Sequence, residues 1–462
     1  MKKSNCHPLI VGTLILTATG FLSRIIGFFY RIYLARLFGE EGMGIYQLLN
    51  PVLSLAFSLT AAGYQTAISK LVAERTALML SALTGPQAGK APKEPFKNRN
   101  SGGALHPLFA GLSISLPLSL LCNGVIYVFA DPIAGSLLGE PRTAMMLRIL
   151  SFSIPLSAVH SCINGYFYGI KKAGLPAAAQ LVEQIVRVAS VYVVAGYCFS
   201  IGREPAISVA VLGLTIGEFF SMLVSIVSIL LCRGDTASLL HIPHSNAIYR
   251  PLLQMALPLT ANRIVLNLLL SVESVSIPAR LRMYGYDNAT ALSVYGVLTG
   301  MAMPLIFFPN ALTNSVSVML LPIISESYAL GDLGKVRSAA LRTVKYCGML
   351  GAACMLVFLF LGQWMGNFLF DSALAGHFIT TLGFICPFLY LDTTLSSILQ
   401  GLGMAAHIFV MNVLSLLIRL GFVFWAVPAC GITGYLWGIL ASQLTQTILY
   451  LLCLRRFLRK VK

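Results

Sequence analysis

Charge is what this sequence has least of. Of 462 residues only 10% are Asp, Glu, Lys or Arg, and acids are the scarcer kind, 16 against 32 bases. A soluble chain of this length would need far more charge to cover its surface. Strand-like alternation of apolar and polar residues is missing, which disfavours a membrane β-barrel. There is no CxxC pair and no Cys/His group at metal-ligand spacing among the 10 cysteines. Cys122, Cys162, Cys232, Cys354 and Cys386 therefore read as small buried hydrophobes, with neither a disulfide framework nor a zinc site expected. No GxSxG, HExxH, P-loop or GxGxxG motif stands in a credible context. The 7 histidines are dispersed, most of them near span ends or in loops (His7, His106, His241, His244). The reading is a non-enzyme without cofactor or metal.

What the chain does have is hydrophobic length. It is 57% hydrophobic with a mean hydropathy of +0.81. Apolar stretches of roughly 20 to 28 residues recur, long enough for helices to cross a ~30 Å hydrocarbon core. The pattern predicts an all-α polytopic membrane protein. Twelve spans are expected, at about 9–34, 44–73, 105–130, 143–170, 174–200, 205–232, 248–277, 289–325, 336–362, 376–400, 404–427 and 432–455. Met1-Lys2-Lys3 precedes a hydrophobic run too long for a signal-peptide core, so the first span is expected to remain as an anchor. The segment 74–104, rich in Gly, Pro and basic residues, reads as a flexible loop.

Basic residues set the orientation. With both termini in the cytoplasm, 21 Lys and Arg fall in inside segments and 6 in outside ones, the bias of the positive-inside rule. The net charge of +16 is thus mostly topological. It attracts anionic membrane lipids and does not call for nucleic acid.

The two halves resemble each other. Phe152, Pro155, Gly169 and Arg187 recur as Phe384, Pro387, Gly401 and Arg419, each at an offset of 232 (387 − 155, for example). Arg24 has a counterpart in Arg263, and Ala35-Arg36 in Ala279-Arg280. Six spans separate counterparts, so both halves insert the same way. The expected domains are an N-terminal six-helix bundle, 1–235, and a C-terminal one, 236–462, with a substrate held between them and access alternated by rocking.

Polar residues lie in narrow helical stripes. Thr13, Thr17, Gly20, Arg24, Gly27 and Arg31 form one in the first span, and Asn50, Ser54, Ser58, Ala61 and Gln65 one in the second. The seventh span carries Thr260, Arg263, Asn267, Ser271 and Ser274, next to Asn262. The eighth has Ser293, Gly296, Gly300, Asn310, Asn314 and Ser317, interrupted by Pro304 and Pro309, which should bend or loosen it. Small residues alone suit close helix packing. Arginine tips the balance towards a wet cavity, because a guanidinium in the bilayer must see water, a carboxylate or an anion. Span 1 has no acid between Met1 and Glu40. Arg24, Arg31 and Arg263 are the expected anion-binding groups, suited to a phosphate or diphosphate. Asn50, Asn262, Asn267 and Asn314 suit sugar hydroxyls and amides.

Glu273 lies about 80° round the helix from Arg263 and is expected as a counter-charge or gate. Glu183 and Arg187 form an i,i+4 pair, Glu218 is expected to join them, and Asp392 to pair with Arg419. These read as buried pairs holding each bundle together, with a coupling-ion relay as the sharper alternative.

At these residues the chain resembles a known family. Ser23-Arg24-Ile25-Ile26-Gly27-Phe28, running into Ala35-Arg36-Leu37-Phe38-Gly39, is similar to the first span of the polysaccharide-exporter and MurJ-like lipid flippase branch of the MOP (MATE-like) superfamily. Thr66 to Glu74, Pro258 to Arg263, Tyr295 to Ala302 and Leu321 to Glu326 are similar to the stage V sporulation protein B group within it. The resemblance covers nearly the whole chain. It implies a V-shaped pair of bundles with a central cavity lined by spans 1, 2, 7 and 8. It also implies an undecaprenyl-diphosphate-linked saccharide, such as lipid II or another cell-wall or spore-cortex precursor, moved from the inner to the outer leaflet of the plasma membrane. Two departures broaden the expected cargo beyond lipid II. Tyr30 stands where lipid II flippases have a second arginine, with Arg31 one position on, and Leu53 to Ala62 holds no charge. Two other readings stay open. One is a cation-coupled multidrug antiporter, which calls for carboxylates that spans 1 and 2 lack before Glu74. The other is a scaffold for cell-wall synthesis proteins, docking through the basic segment 90–99.

Overall fold

The computed structural model describes residues 8–84, 105–231 and 246–460, and the described residues hold helices and turns but no strands. Most of the expected loop 74–104, with its basic segment 90–99, lies outside them. Helix α1 (Pro8–Gln47) is followed by α2 (Asn50–Phe57), a π-helical turn (Ser58–Ala62) and α3 (Gly63–Thr84). Then come α4 (His106–Val128), α5 (Thr143–Ser151), α6 (Ser153–Gly169), α7 (Gly174–Ser200), α8 (Ser208–Leu231) and α9 (Asn246–Tyr284). The eighth expected span is built as α10 (Asn288–Gly296), a π-helical turn (Val297–Ala302), α11 (Met303–Phe307) and α12 (Asn310–Ala329). The chain ends in α13 (Leu333–Phe370), α14 (Ala373–Gly383), α15 (Cys386–Gly401), α16 (Ala405–Gly421), α17 (Val427–Cys430) and α18 (Ile432–Lys460).

Among the described residues, nine helices are individually long and apolar enough to cross a membrane. Two bent pairs, 18–47 with 50–76 and 373–383 with 386–401, pass together, giving up to eleven spans by length and composition. The expected twelve divides the first of these pairs into two. The charges of α1 gather in its second part, with Arg31, Arg36, Glu40 and Glu41 all beyond residue 30. The breaks have a local cause. Pro155 and Pro387 lack the N–H that would bond back to Ser151 and Gly383, so the helices restart at Ser153 and Cys386. Phe152 and Phe384 sit at those two restarts. Pro304 and Pro309 likewise accompany the interruptions of the eighth span.

Packing divides the chain into two compact units. The first comprises residues 1–26, 52–137 and 141–267, and the second 27–51, 138–140 and 268–462. This differs from a division at 235/236, because α1 and α9 each contribute one part to each unit. The core of the first unit gathers Ile68 and Val72 of α3, Leu108 of α4, Cys162 and Phe167 of α6 and Leu252 of α9. That of the second gathers Ile324 of α12, Val336 of α13, Leu395 and Leu399 of α15 and Tyr450 of α18.

Glycines set the closest approaches. A Cβ on Gly169 would meet Val72 at 2.6 Å and the Ser69 carbonyl at 2.8 Å, so α6 lies hard against α3. Its counterpart Gly401 does the same for α15 on α12, at 3.0 Å from Ile324 and 3.1 Å from the Leu321 carbonyl. The 232-residue offset therefore relates packing jobs as well as letters.

Gly165→Val forces a Cβ to within 2.6 Å of the Gln65 carbonyl, and Gly366→Val to within 2.1 Å of the Gly376 nitrogen. Each should cost about 1–3 kcal/mol or more and lower the unfolding temperature of the detergent-solubilised protein. Gly196→Ala, with nothing within 4 Å, should leave it level or raise it. Equal behaviour of all three in a thermal-unfolding assay would contradict the close-packing account.

Candidate functional site

Arg24 and Arg263, expected one from each bundle, instead both belong to the first unit, Arg24 on α1 and Arg263 on α9 with Asn262 and Asn267, because α9 contributes its first part to that unit. Arg24 and Arg263 are both exposed. The stripe around Arg263 is a packing face on either side of it. Thr260 is buried against α3, where a Cβ on Gly63 would strike its hydroxyl at 1.9 Å. Asn267 donates to the Ser58 hydroxyl in the π turn and, at 3.4 Å, to the Ser54 carbonyl. Asn262 is exposed beside Arg263. The first unit thus carries two exposed guanidinium groups, one on each of these helices.

The other expected ligands belong to the second unit. Arg31 is exposed, Asn50 is exposed and donates to Gln47, and Asn314 is partly buried on α12. Ser271 donates to the Pro51 carbonyl at 3.3 Å and Ser317 to the Thr393 carbonyl at 3.2 Å. The small polar stripes are thus divided between helix packing and exposed polar surface. Arg36 acts as a helix cap, donating to the Phe368 and Leu369 carbonyls at 2.6 and 2.9 Å. These are carbonyls of the last turn of α13, where a cation is favourable.

Two sequence expectations are corrected. Glu273 does not line a cavity as a ligand or gate. It is 3% exposed, accepts from Arg419 Nη2 at 2.7 Å and from the Tyr435 hydroxyl at 2.7 Å, and its charge is already answered. Asp392 does not pair with Arg419. It lies between α15 and α18, accepting from the Thr447 hydroxyl at 2.7 Å. A buried carboxylate left without a cation is costly, and one guanidinium cannot serve both acids. Arg419 goes to Glu273, whose far oxygen Tyr435 also satisfies. Ser415 occupies the position on α16 where the first half has Glu183 (183 + 232), so Arg419 lacks the in-helix partner that Arg187 has.

In the first unit the expected pair is present, with Arg187 Nη2 2.5 Å from Glu183 Oε1. Glu218 of α8 joins Glu183 as expected and also meets His160 of α6, Nε2 to Oε2 at 2.9 Å. One ligand atom from each of His160, Glu183 and Glu218 can be chosen so that all lie within 4.8 Å of one another. Sequence reasoning missed His160, Tyr435 and Thr447. The offset holds the signal for the first, since 160 + 232 is Asp392 and 218 + 232 is Tyr450. Tyr450 donates to Asn412 Oδ1 at 2.6 Å, and Gln446 donates to the same oxygen at 2.8 Å. Polar groups thus recur at matching sites with their chemistry changed.

Comparison with known proteins fits this geometry. The family model "Polysaccharide biosynthesis protein" matches residues 9–328, and the MatE model matches 264–425. The chain belongs to the polysaccharide biosynthesis protein family. It is a member of the flippase branch of the MOP superfamily, a membrane transporter and not an enzyme. Stage V sporulation protein B of Bacillus subtilis (strain 168) is 28% identical over 449 residues, covering 96% of this chain and 83% of the relative. The lipid II flippase MurJ of the same organism is 23% identical over 345 residues, covering 70% and 59%. An inward-facing multidrug resistance MATE family transporter of the MOP superfamily shares the fold, with a TM-score of 0.73 at 15% identity, over 97% of this chain and 98% of that one. The all-α polytopic architecture expected from sequence is therefore that of this superfamily.

For this flippase-branch member, removing one partner of the buried Glu273–Arg419 pair should destabilise it more than removing both. Glu273→Gln or Arg419→Met alone leaves a buried charge, costing about 3–5 kcal/mol, while the double variant recovers much of the loss. Additive losses in a double-mutant cycle of thermal stability would contradict the pairing.

Proposed function

We propose that the protein flips an anionic undecaprenyl-diphosphate-linked saccharide, lipid II or a related cell-wall or spore-cortex precursor, from the inner to the outer leaflet. It does so by alternating access, in the plasma membrane, with both termini cytoplasmic. The observation that carries the reading is the exposure of Arg24 and Arg263 on two helices of one unit. Guanidinium forks bind phosphate oxygens bidentately. An exposed guanidinium in a membrane helix can present N–H donors to water, head groups or an anionic cargo. Asn262 next to Arg263 offers donors and an acceptor to a sugar. The family's polysaccharide connection and the similarity to a lipid II flippase support a lipid-linked glycan as the cargo class.

The MatE match over residues 264–425 favours a second reading, cation-coupled export of cationic drugs. Charge complementarity weighs against it. A cationic cargo needs exposed carboxylates where Arg24 and Arg263 stand.

Arg24→Ala and Arg263→Ala should each lower the flipping rate of an undecaprenyl-diphosphate saccharide by tenfold or more in reconstituted vesicles. Arg24→Lys, keeping charge but not the fork, should fall between. Unchanged flipping by both alanine variants would overturn the reading, as would efflux of a cationic dye that survives both substitutions.

A further inference from the structure

Four ionisable side chains meet where α6, α7 and α8 of the first unit come together. They are His160 on α6, Glu183 and Arg187 on α7, and Glu218 on α8. None is more than 16% exposed along its side chain. Gly217 brings α8 against α7, with a would-be Cβ 2.9 Å from the Glu183 carbonyl, so the helices have no slack to admit bulk water. Two carboxylates face one guanidinium here. With a neutral imidazole the cluster carries one net negative charge inside a membrane helix bundle, which is unfavourable by several kcal/mol on the order of an unpaired buried ion. One added positive charge makes it neutral.

Three ligands fit that charge differently. A divalent ion would leave the cluster at +1 and would have to displace Arg187 from Glu183 Oε1. A sodium-like ion prefers an all-oxygen shell, and one of the three donors is nitrogen. A proton needs no space, and the 2.9 Å separation of His160 Nε2 and Glu218 Oε2 is a hydrogen-bond length. On the other side of the ring, His160 Nδ1 lies 3.3 Å from Asn164 Nδ2. An amide turned to present its oxygen there would accept from a doubly protonated ring.

We propose that His160 and Glu218 form a site for one exchangeable proton, with Arg187 holding Glu183 as the fixed counter-pair. When occupied, the site is an imidazolium–carboxylate pair and the cluster is neutral. On release the Nε2–H bond breaks, its electron pair stays on nitrogen, and the proton leaves through the Glu218 carboxylate to water. The four-residue cluster then carries one negative charge, which loosens the α6–α8 contact. The inference is independent of the cargo, because none of its groups is one that the flippase reading assigns to binding.

The test needs no substitution to find the signal. Val159–His160 is the only Val–His step in the chain, so ¹³C-valine with ¹⁵N-histidine labelling isolates this one ring in lipid vesicles by solid-state NMR. The proposal expects a doubly protonated ring at pH 7 that loses its proton reversibly as pH is raised to 10. Glu218→Gln should make the ring neutral at pH 7. If that variant does not fold, the wild-type titration alone decides. A neutral ring at pH 7 would overturn the proposal, and so would a proton never lost by pH 10 or a ring signal that shifts on adding Zn²⁺. None of these readings depends on transport, so they stand or fall separately from the flippase reading.

Discussion

A guanidinium cannot shed its charge inside a membrane, and the arrangement of this protein follows from how each one is answered. Arg187 and Arg419 are largely enclosed and lie against carboxylates, Glu183 and Glu273. Arg36 is spent on the carbonyl end of α13. Arg24, Arg31 and Arg263 are exposed. The Arg419–Glu273 pair ties two helices together, while Arg187–Glu183 closes within α7, and breaking either leaves a stranded charge. Exposure in the second group puts the charge at the protein surface.

Much of the architecture was legible because membrane helices announce themselves by length. The apolar runs of about 20 residues fall on long helices, and the 232-residue offset falls on the matching contacts of Gly169 and Gly401. The exceptions are instructive. The division of α1 between two units leaves no trace in hydropathy. The stripes of Ser, Thr and Asn were visible, but not which members pack. Thr260 and Asn267 make helix contacts while Arg263 between them is exposed. One periodicity serves both packing and solvation, so spacing alone cannot separate them.

Partner choice among buried charges was the least legible feature. The expected Asp392–Arg419 pair is replaced by Glu273–Arg419, a contact 146 residues apart that no local spacing encodes. The offset explains it after the fact: Glu183 has no acidic counterpart at 415, so Arg419 takes an acid from another helix. The same comparison marks positions 160 and 218, where His and Glu stand opposite Asp and Tyr of the second half. Duplication kept the polar locations and changed their chemistry, leaving two halves that hold charge in different ways.

The central claim is that the exposed arginines of α1 and α9 hold the diphosphate of a lipid-linked glycan. Native mass spectrometry of the lipids retained by purified protein addresses it most directly. The account predicts an undecaprenyl-diphosphate saccharide on the unaltered protein and its depletion when positions 24 and 263 are both neutralised. Retention of that lipid by the doubly neutralised protein, or a lipid complement without any diphosphate species, would contradict it.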